Sequence, residues 1–204
     1  DHIKESAIDV ELMIPIAPTT ELKDFLYFQS DKNPISKYYS SKIKSIKKIE
    51  NSIFDYVIKT CKNTKIYIYN QNSHHNILSQ CTLALTTVGA NTAELAAINL
   101  PMIVVLPTQH LNKMNAWDGI FGILGKINLF NRIQTFIINK YYLKNKKFLA
   151  WPNIKANKQI IPERVGIISP KDISEEAIYL LNEKTLLSEQ KINLLKIRGK
   201  KGAI

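Results

Sequence analysis

The stretch that most constrains this chain is residues 82–107, TLALTTVGANTAELAAINLPMIVVLP, where an apolar run, a tight turn, an amphipathic run and a second apolar run follow without padding. Residues 82–86 and 102–106 are short, apolar and rich in β-branched side chains, as strands buried on both faces of a parallel sheet should be. Pro101 and Pro107 punctuate the second run. Between the two, residues 92–98 contain good helix formers, and Gly89, Ala90 and Asn91 are small enough for another molecule to lie close to the backbone. The stretch predicts one strand–helix–strand unit.

In such a unit the free N–H groups of the helix start point beyond the carboxyl ends of the strands, where they attract phosphate. Glu94, one turn into the helix, would then accept hydrogen bonds from ribose hydroxyls, which suggests a nucleotide site. A short glycine-containing turn is weak evidence by itself. An ordinary strand-to-helix turn, with Glu94 complementing the helix dipole, accounts for the same residues and stays open at this point.

The 204 residues suffice for one α/β domain plus an appendage, and a hydrophobic content of 45% supports a real core. Residues 1–204 are read as that single domain. The chain begins at Asp1, with a strand over residues 10–16 almost at once, so an upstream portion is expected. No apolar run approaches the roughly 20 residues that cross a bilayer, which predicts a soluble or peripheral protein, cytoplasmic or in a plastid stroma. Cys61 and Cys81 stand alone, as in a reducing compartment, and His2, His74, His75 and His110 lack metal-ligand spacing, so no structural metal is expected. The net charge of +11 comes mainly from Lys. It fits an anionic partner, and also the Lys, Asn and Ile bias that an A/T-rich genome produces.

Taken in order, the strand over residues 10–16 leads to a turn at Pro18 and a short helix over residues 21–28, then a polar loop over residues 29–41. The segment SKIKSIKKIENSIFDYVIK places isoleucine at 43, 46, 49 and 53 with lysines between, a helical spacing that predicts a basic amphipathic helix. It lacks interleaved Arg and aromatic residues, so its lysines read as a solvated face and nucleic acid is disfavoured as a partner. KIYIY at 65–69 alternates as a strand, and Ser73 would cap a short helix through Leu78. Residues 120–143 are apolar but interrupted by Lys126, Asn128, Asn131 and Arg132, which fits core packing or an interfacial helix. Residues 155–164 look helical up to Pro162, with a short apolar segment over 165–168. Ser169, Pro170 and Asp172 open a further helix over 173–182, and 185–197 form a last one.

Two separated runs coincide with one family. VGANTAELAAINLPMIVV resembles the nucleotide-binding segment of lipid-A-disaccharide synthases, where a small-residue turn and a Glu-containing helix precede a Pro and an apolar strand. LAWPNIKANKQIIPERV resembles that family's Leu-Pro-Asn segment and the helix after it, and the PTQ, AWDG and WPNI wording is that of the cyanobacterial-type members. The resemblance implies an α/β, Rossmann-like domain with a parallel sheet and flanking helices, the carboxyl-terminal, donor-binding half of a GT-B glycosyltransferase. It implies that Gly89, Ala90, Asn91 and Thr92 line the pyrophosphate of a UDP-sugar, that Glu94 holds the ribose, and that Asn153 matches an active-site asparagine.

The implied reaction joins a sugar from UDP-2,3-diacylglucosamine to a lipid X acceptor. It needs no cofactor and no metal, because helix amides can stabilise the departing diphosphate. Where family members carry a Gly-Ser-Arg turn, this chain reads Ile14-Pro15-Ile16-Ala17-Pro18, and Lys158 stands where Arg is frequent. The implied partners are a UDP-sugar and a glycolipid acceptor, with a membrane surface and a homodimer left open. The acceptor domain is not in the chain, so the chain alone is expected to be inactive. The second reading is a non-catalytic GT-B homologue that binds a nucleotide or a partner.

Overall fold

The computed structural model describes residues 1–6, 8–16, 43–70, 74–109 and 148–198. The helix expected over 21–28, the loop over 29–41, the apolar stretch 120–143, Ser73, His110 and Asp118 lie outside the described residues. The chain divides into two compact units, Asp1–Ile77 and Leu78–Ile204.

The first unit holds a four-stranded sheet of β1 (Leu12–Pro15), β2 (Ile43–Lys48), β3 (Tyr56–Thr60) and β4 (Lys65–Tyr69), in the order β1-β4-β3-β2. Only β1 and β4 run parallel; β4 with β3 and β3 with β2 are antiparallel. The connections 49–55 and 61–64 are far shorter than a parallel crossover requires, so they can only join antiparallel neighbours. Asn51 and Asn63 take the positive φ that these turns demand, at 55° and 64°. Ile16, Ile58 and Ile68 form the buried centre, with Ile14, Ile43, Ile46, Tyr56 and Ile66 packed against it.

The helix expected from the isoleucine spacing at 43, 46, 49 and 53 is therefore corrected: this segment is a bulged hairpin. In a regular strand Ile43 and Ile46, three apart, would face opposite sides. A register shift between Ile43 and Ser45 turns both toward the same core, so a bulge reproduces the spacing of a helix. β-branched residues favour the strand once that packing is available.

The second unit is built on a parallel sheet of β5 (Ala84–Thr86), β6 (Met102–Pro107) and β7 (Glu163–Gly166), in the order β5-β6-β7, with β6 in the centre. The central strand is buried, Met102 and Ile103 completely, as the unbroken apolar run predicts. Helices flank this sheet: α2 (Asn91–Ala97), α3 (Trp151–Ala156), α4 (Pro170–Asn182) and α5 (Lys184–Ile197), while the short α1 (His75–Leu78) lies at the unit boundary. Leu95, Ala96, Leu100, Met102, Val104, Ala150, Ile160, Ile161 and Leu194 form one core. This architecture is Rossmann-like.

The helix expected over 155–164 is also corrected. It starts earlier, at Trp151, because Pro152 suits a first turn, and it stops at Asn157, which adopts the left-handed conformation (φ 50°). Of the apolar segment expected over 165–168, Val165 and Gly166 end a strand that begins at Glu163, and Ile167 and Ile168 follow it. By contrast α4 begins where Ser169-Pro170 predicts: the Ser169 hydroxyl accepts from the Asp172 amide at 3.1 Å and the Asp172 carboxylate accepts from the Ser169 amide at 3.1 Å. The Ser169 hydroxyl, then its amide, hold the Asp172 carboxyl below the usual carboxylate range. That contribution to stability is present above the ordinary carboxylate pKa and lost as acid titrates through the lowered value. Ser169→Ala removes this cap and is expected to lower stability by about 1 kcal/mol in a urea titration, with the denaturant slope unchanged.

Two polar side chains tie helices to this sheet. Gln190 of α5 is buried and its Oε1 accepts from the Met102 amide at 3.2 Å, satisfying the backbone where β6 begins. Arg164 of β7 makes a two-pronged pair with Glu176 of α4, at 2.6 Å from Nε and 2.5 Å from a terminal nitrogen. This hydrogen bonding raises the guanidinium pKa above its ordinary value. Half exposed on the Arg side, the pair contributes to orientation more than to stability.

Candidate active site

All three strands of the second sheet end on the same side, and the segments that follow them converge there. After β5 the chain makes the turn Thr87–Ala90 into α2; after β6 come Thr108 and Gln109; after β7 come Ile167, Ile168 and the start of α4. Open α/β sheets bind ligands in this crevice at the carboxyl ends of the strands.

The turn is pinned from both ends. Asn91 Nδ2 donates to Thr86 Oγ1 at 2.5 Å, so the first helical residue is fastened to the last strand residue. Thr92 is fully buried and its hydroxyl donates to the Gly89 carbonyl at 2.8 Å. Gly89 itself has φ +153°, a conformation open to glycine and strained for other residues, and a Cβ there would lie 3.0 Å from Asn91 Oδ1. Gly89 and Ala90 are exposed to solvent. The backbone bonds at this point begin with the Thr92 amide reaching back to Gly89 and the Ala93 and Glu94 amides to Ala90. Among the described residues the amides of Gly89, Ala90 and Asn91 donate to no other group. Glu94 is in the first turn of α2 and exposed.

The Thr92 hydroxyl also accepts from the Trp151 amide at 3.2 Å. That bond joins the turn at 89–92 to the Trp151-Pro152-Asn153 segment across 59 positions of sequence. Trp151 packs on the core, and Lys155 Nζ stands 4.7 Å from its ring centroid. The sequence therefore predicts two segments of interest and the structure makes them neighbours.

Asn153 is completely buried, and its amide is saturated. Nδ2 donates to the Ile161 carbonyl at 2.9 Å and to Glu163 Oε1 at 2.7 Å; Oδ1 accepts from the Ile160 and Ile161 amides at 2.7 and 3.0 Å. An amide offers two donors and two lone pairs, and all are used here. In this arrangement Asn153 holds the chain between α3 and β7 and presents no free group to a ligand.

Sequence reasoning passed over Glu163, whose carboxylate accepts from the Leu149 amide at 2.9 Å and the Ala150 amide at 3.1 Å as well as from Asn153. A buried carboxylate just ahead of α3 complements its dipole and satisfies the amides of its cap residue and the residue before it. It also passed over Gln109, which clasps the backbone beyond β7: Nε2 donates to the Ile168 carbonyl at 2.6 Å and Oε1 accepts from the Ile168 amide at 3.3 Å. The segments after β6 and β7 are thereby held together at the crevice.

Among the described residues no group of three or more His, Cys, Asp or Glu side chains could hold a metal ion, and no helix is long and apolar enough to cross a membrane. Lys158, which stands at the position where the resemblance suggests Arg, is exposed at the end of α3.

Comparison with known proteins gives one curated relative. The lipid-A-disaccharide synthase of Sulfurihydrogenibium sp. (strain YO3AOP1) is 28% identical over 138 residues, which is 66% of this chain and 29% of that protein. The chain thus spans less than a third of the relative it matches. No family model matches the chain, and no solved structure matches it.

Proposed function

We propose that this chain supplies the nucleotide-sugar-binding part of a GT-B glycosyltransferase that passes a sugar from a UDP-sugar to a glycolipid acceptor, as a lipid-A-disaccharide synthase does. The observation that carries the reading is the Trp151 amide to Thr92 hydroxyl bond, because it brings the two family-like segments together at the carboxyl end of a parallel sheet. The similarity to a lipid-A-disaccharide synthase supports the reaction class.

In this reading the amides at Gly89, Ala90 and Asn91, which donate to no other group among the described residues, donate to the diphosphate, and the positive end of α2 favours the charge that develops as UDP departs. Thr92 acts through position, fixing the Gly89 carbonyl so that these amides face outward. Glu94 accepts from the ribose hydroxyls. Asn153, the counterpart by wording of the active-site asparagine, keeps the start of α3 in place beside the turn. Transfer also needs an acceptor site and a base that deprotonates its hydroxyl, which the residues assigned here do not supply, so the part of this chain in the reading is to bind the donor.

The test is calorimetric titration of the purified chain with UDP, because binding survives in a part of an enzyme when turnover does not. Saturable binding is expected, and Glu94→Ala should weaken it about tenfold, the loss of one or two hydrogen bonds to a charged acceptor. A folded chain that takes up no UDP at millimolar concentration overturns the reading. A second reading, a homologue that keeps the fold without the transfer, is favoured by one observation. Ile14-Pro15-Ile16 replaces the turn that carries a phosphate-facing arginine in the family, and Ile16 is buried in an apolar cluster. UDP binding with no transfer by the full-length protein would select it.

A further inference from the structure

We infer that the groove between α4, α5 and the segment leading into β7 binds a neutral saccharide. The groove has a volume of about 580 Å³, within the range of small-molecule sites, and all its lining residues belong to the second unit. Ile160, Ile161 and Leu180, all buried, give it an apolar wall. Its strand-side residues precede or begin β7, whereas the crevice lies beyond the end of that strand. No residue of the nucleotide-sugar reading lines it, so the inference stands apart from that reading.

The observation that calls for a ligand is Gln190, which lines the groove and is only 6% exposed. Its Oε1 accepts from the Met102 amide at 3.2 Å. A backbone N–H needs an acceptor, so this bond fixes which way the side-chain amide faces. Nε2 is left on the other side, donates to no group among the described residues and is not sealed from solvent. Two unspent donors on a side chain so deeply buried suit an acceptor brought by a ligand. Asn193, nearly one turn further along α5, is half-buried in the same groove, and its side-chain amide is likewise unbonded among the described residues.

Charge decides the class of ligand. Glu175, Glu176 and Glu189 line the groove, which disfavours an anion. Two of them are already engaged, Glu176 by Arg164 and Glu175 by Lys171 at 3.6 Å, so a cation finds only Glu189 without an ion pair among the described residues. Two neutral amides and one carboxylate match hydroxyl groups, each of which can accept from Gln190 or Asn193 and donate to Glu189. Tyr179, 58% exposed, adds an aromatic wall. The C–H face of a sugar ring is apolar and packs on such a ring while the hydroxyls on its rim reach polar groups.

The test is saturation-transfer difference NMR of the full chain with maltose and, separately, with N,N′-diacetylchitobiose. Transfer to the ring protons of at least one disaccharide is expected. Tyr179→Ala, at an exposed position, should weaken that binding about tenfold and Asn193→Ala a few-fold, with circular dichroism unchanged. UDP titration of the same variants should match the original chain, which keeps the outcome at the groove separate from the outcome at the crevice. No transfer to either sugar from a folded chain overturns the inference. So does transfer that Tyr179→Ala leaves intact, because the sugar then sits elsewhere. Transfer to a trilysine peptide and to neither sugar also overturns it, in favour of a cationic partner.

Discussion

Asn153→Leu is expected to lower the melting temperature of the second unit by roughly 10 °C and to take UDP binding with it. The substitution keeps the number and branching of side-chain heavy atoms, so the largest part of its effect is polar. It leaves the Ile160 and Ile161 amides and the Ile161 carbonyl without partners in a site closed to solvent. Each buried orphan costs about 1–3 kcal/mol, and the Glu163 carboxylate loses one of its donors as well. A total of about 3–5 kcal/mol is among the larger effects of a single change, and for a chain of this size each kcal/mol shifts the midpoint by about 2–4 °C. Differential scanning calorimetry reads the shift directly. A midpoint within a degree or two of the original would mean that the amide is not saturated in solution and that Asn153 is available to a ligand.

The same residue shows how a motif that looks like chemistry can be architecture first. Asn153, Glu163 and Thr92 are linked end to end: Glu163 holds the amides that open α3, Asn153 holds the loop that returns to β7, and Thr92 ties the start of α3 to the turn at Gly89. A disturbance at any of them reaches the turn through the rigid start of α3. In the proposed enzyme this explains why residues with no free atom for substrate would still set the geometry on which the donor depends.

The parts of the fold that were legible in the sequence are those whose signals are local. The run from β5 through α2 to β6 carries its own turn, helix formers and punctuating prolines, and the structure places those elements at Ala84–Thr86, Asn91–Ala97 and Met102–Pro107. Ser169, Pro170 and Asp172 likewise announce α4. The hairpin of β2 and β3 was not legible, because the bulge at Ile43 and Ser45 converts an odd spacing into a common face. For the site, the turn could be read, whereas Glu163, Gln109 and Gln190 could not. Each works by reaching backbone far along the chain, 13 to 14 residues away for Glu163, 59 for Gln109 and 88 for Gln190. One signal was present: Gln190 sits between Leu187 and Leu194 at helical spacing, a polar residue on the apolar stripe of α5, and such a residue needs a buried partner.

Gly89→Val should weaken UDP binding at least tenfold while leaving most of the stability of the second unit in place. At φ +153° a branched side chain is excluded from the native backbone conformation, and the Cβ alone would meet Asn91 Oδ1 at 3.0 Å. The strain is of order 1–3 kcal/mol, less than a folded unit must lose to unfold. The turn therefore changes shape instead. Gly89 is exposed, so nothing in the core resists that change. Its cost falls on the orientation of the Gly89, Ala90 and Asn91 amides, and preorganised donors lose their value when they must be reoriented for each ligand. Titration calorimetry with UDP should show a loss of at least tenfold against a midpoint shift of only a few degrees. Asn91→Ala separates the two contributions. It removes the atom that the new Cβ would meet and the bond to Thr86, but leaves φ at Gly89 free, so it should weaken UDP only a few-fold. Equal losses from both substitutions would show that the side-chain tie, rather than the glycine backbone, holds the amides in place.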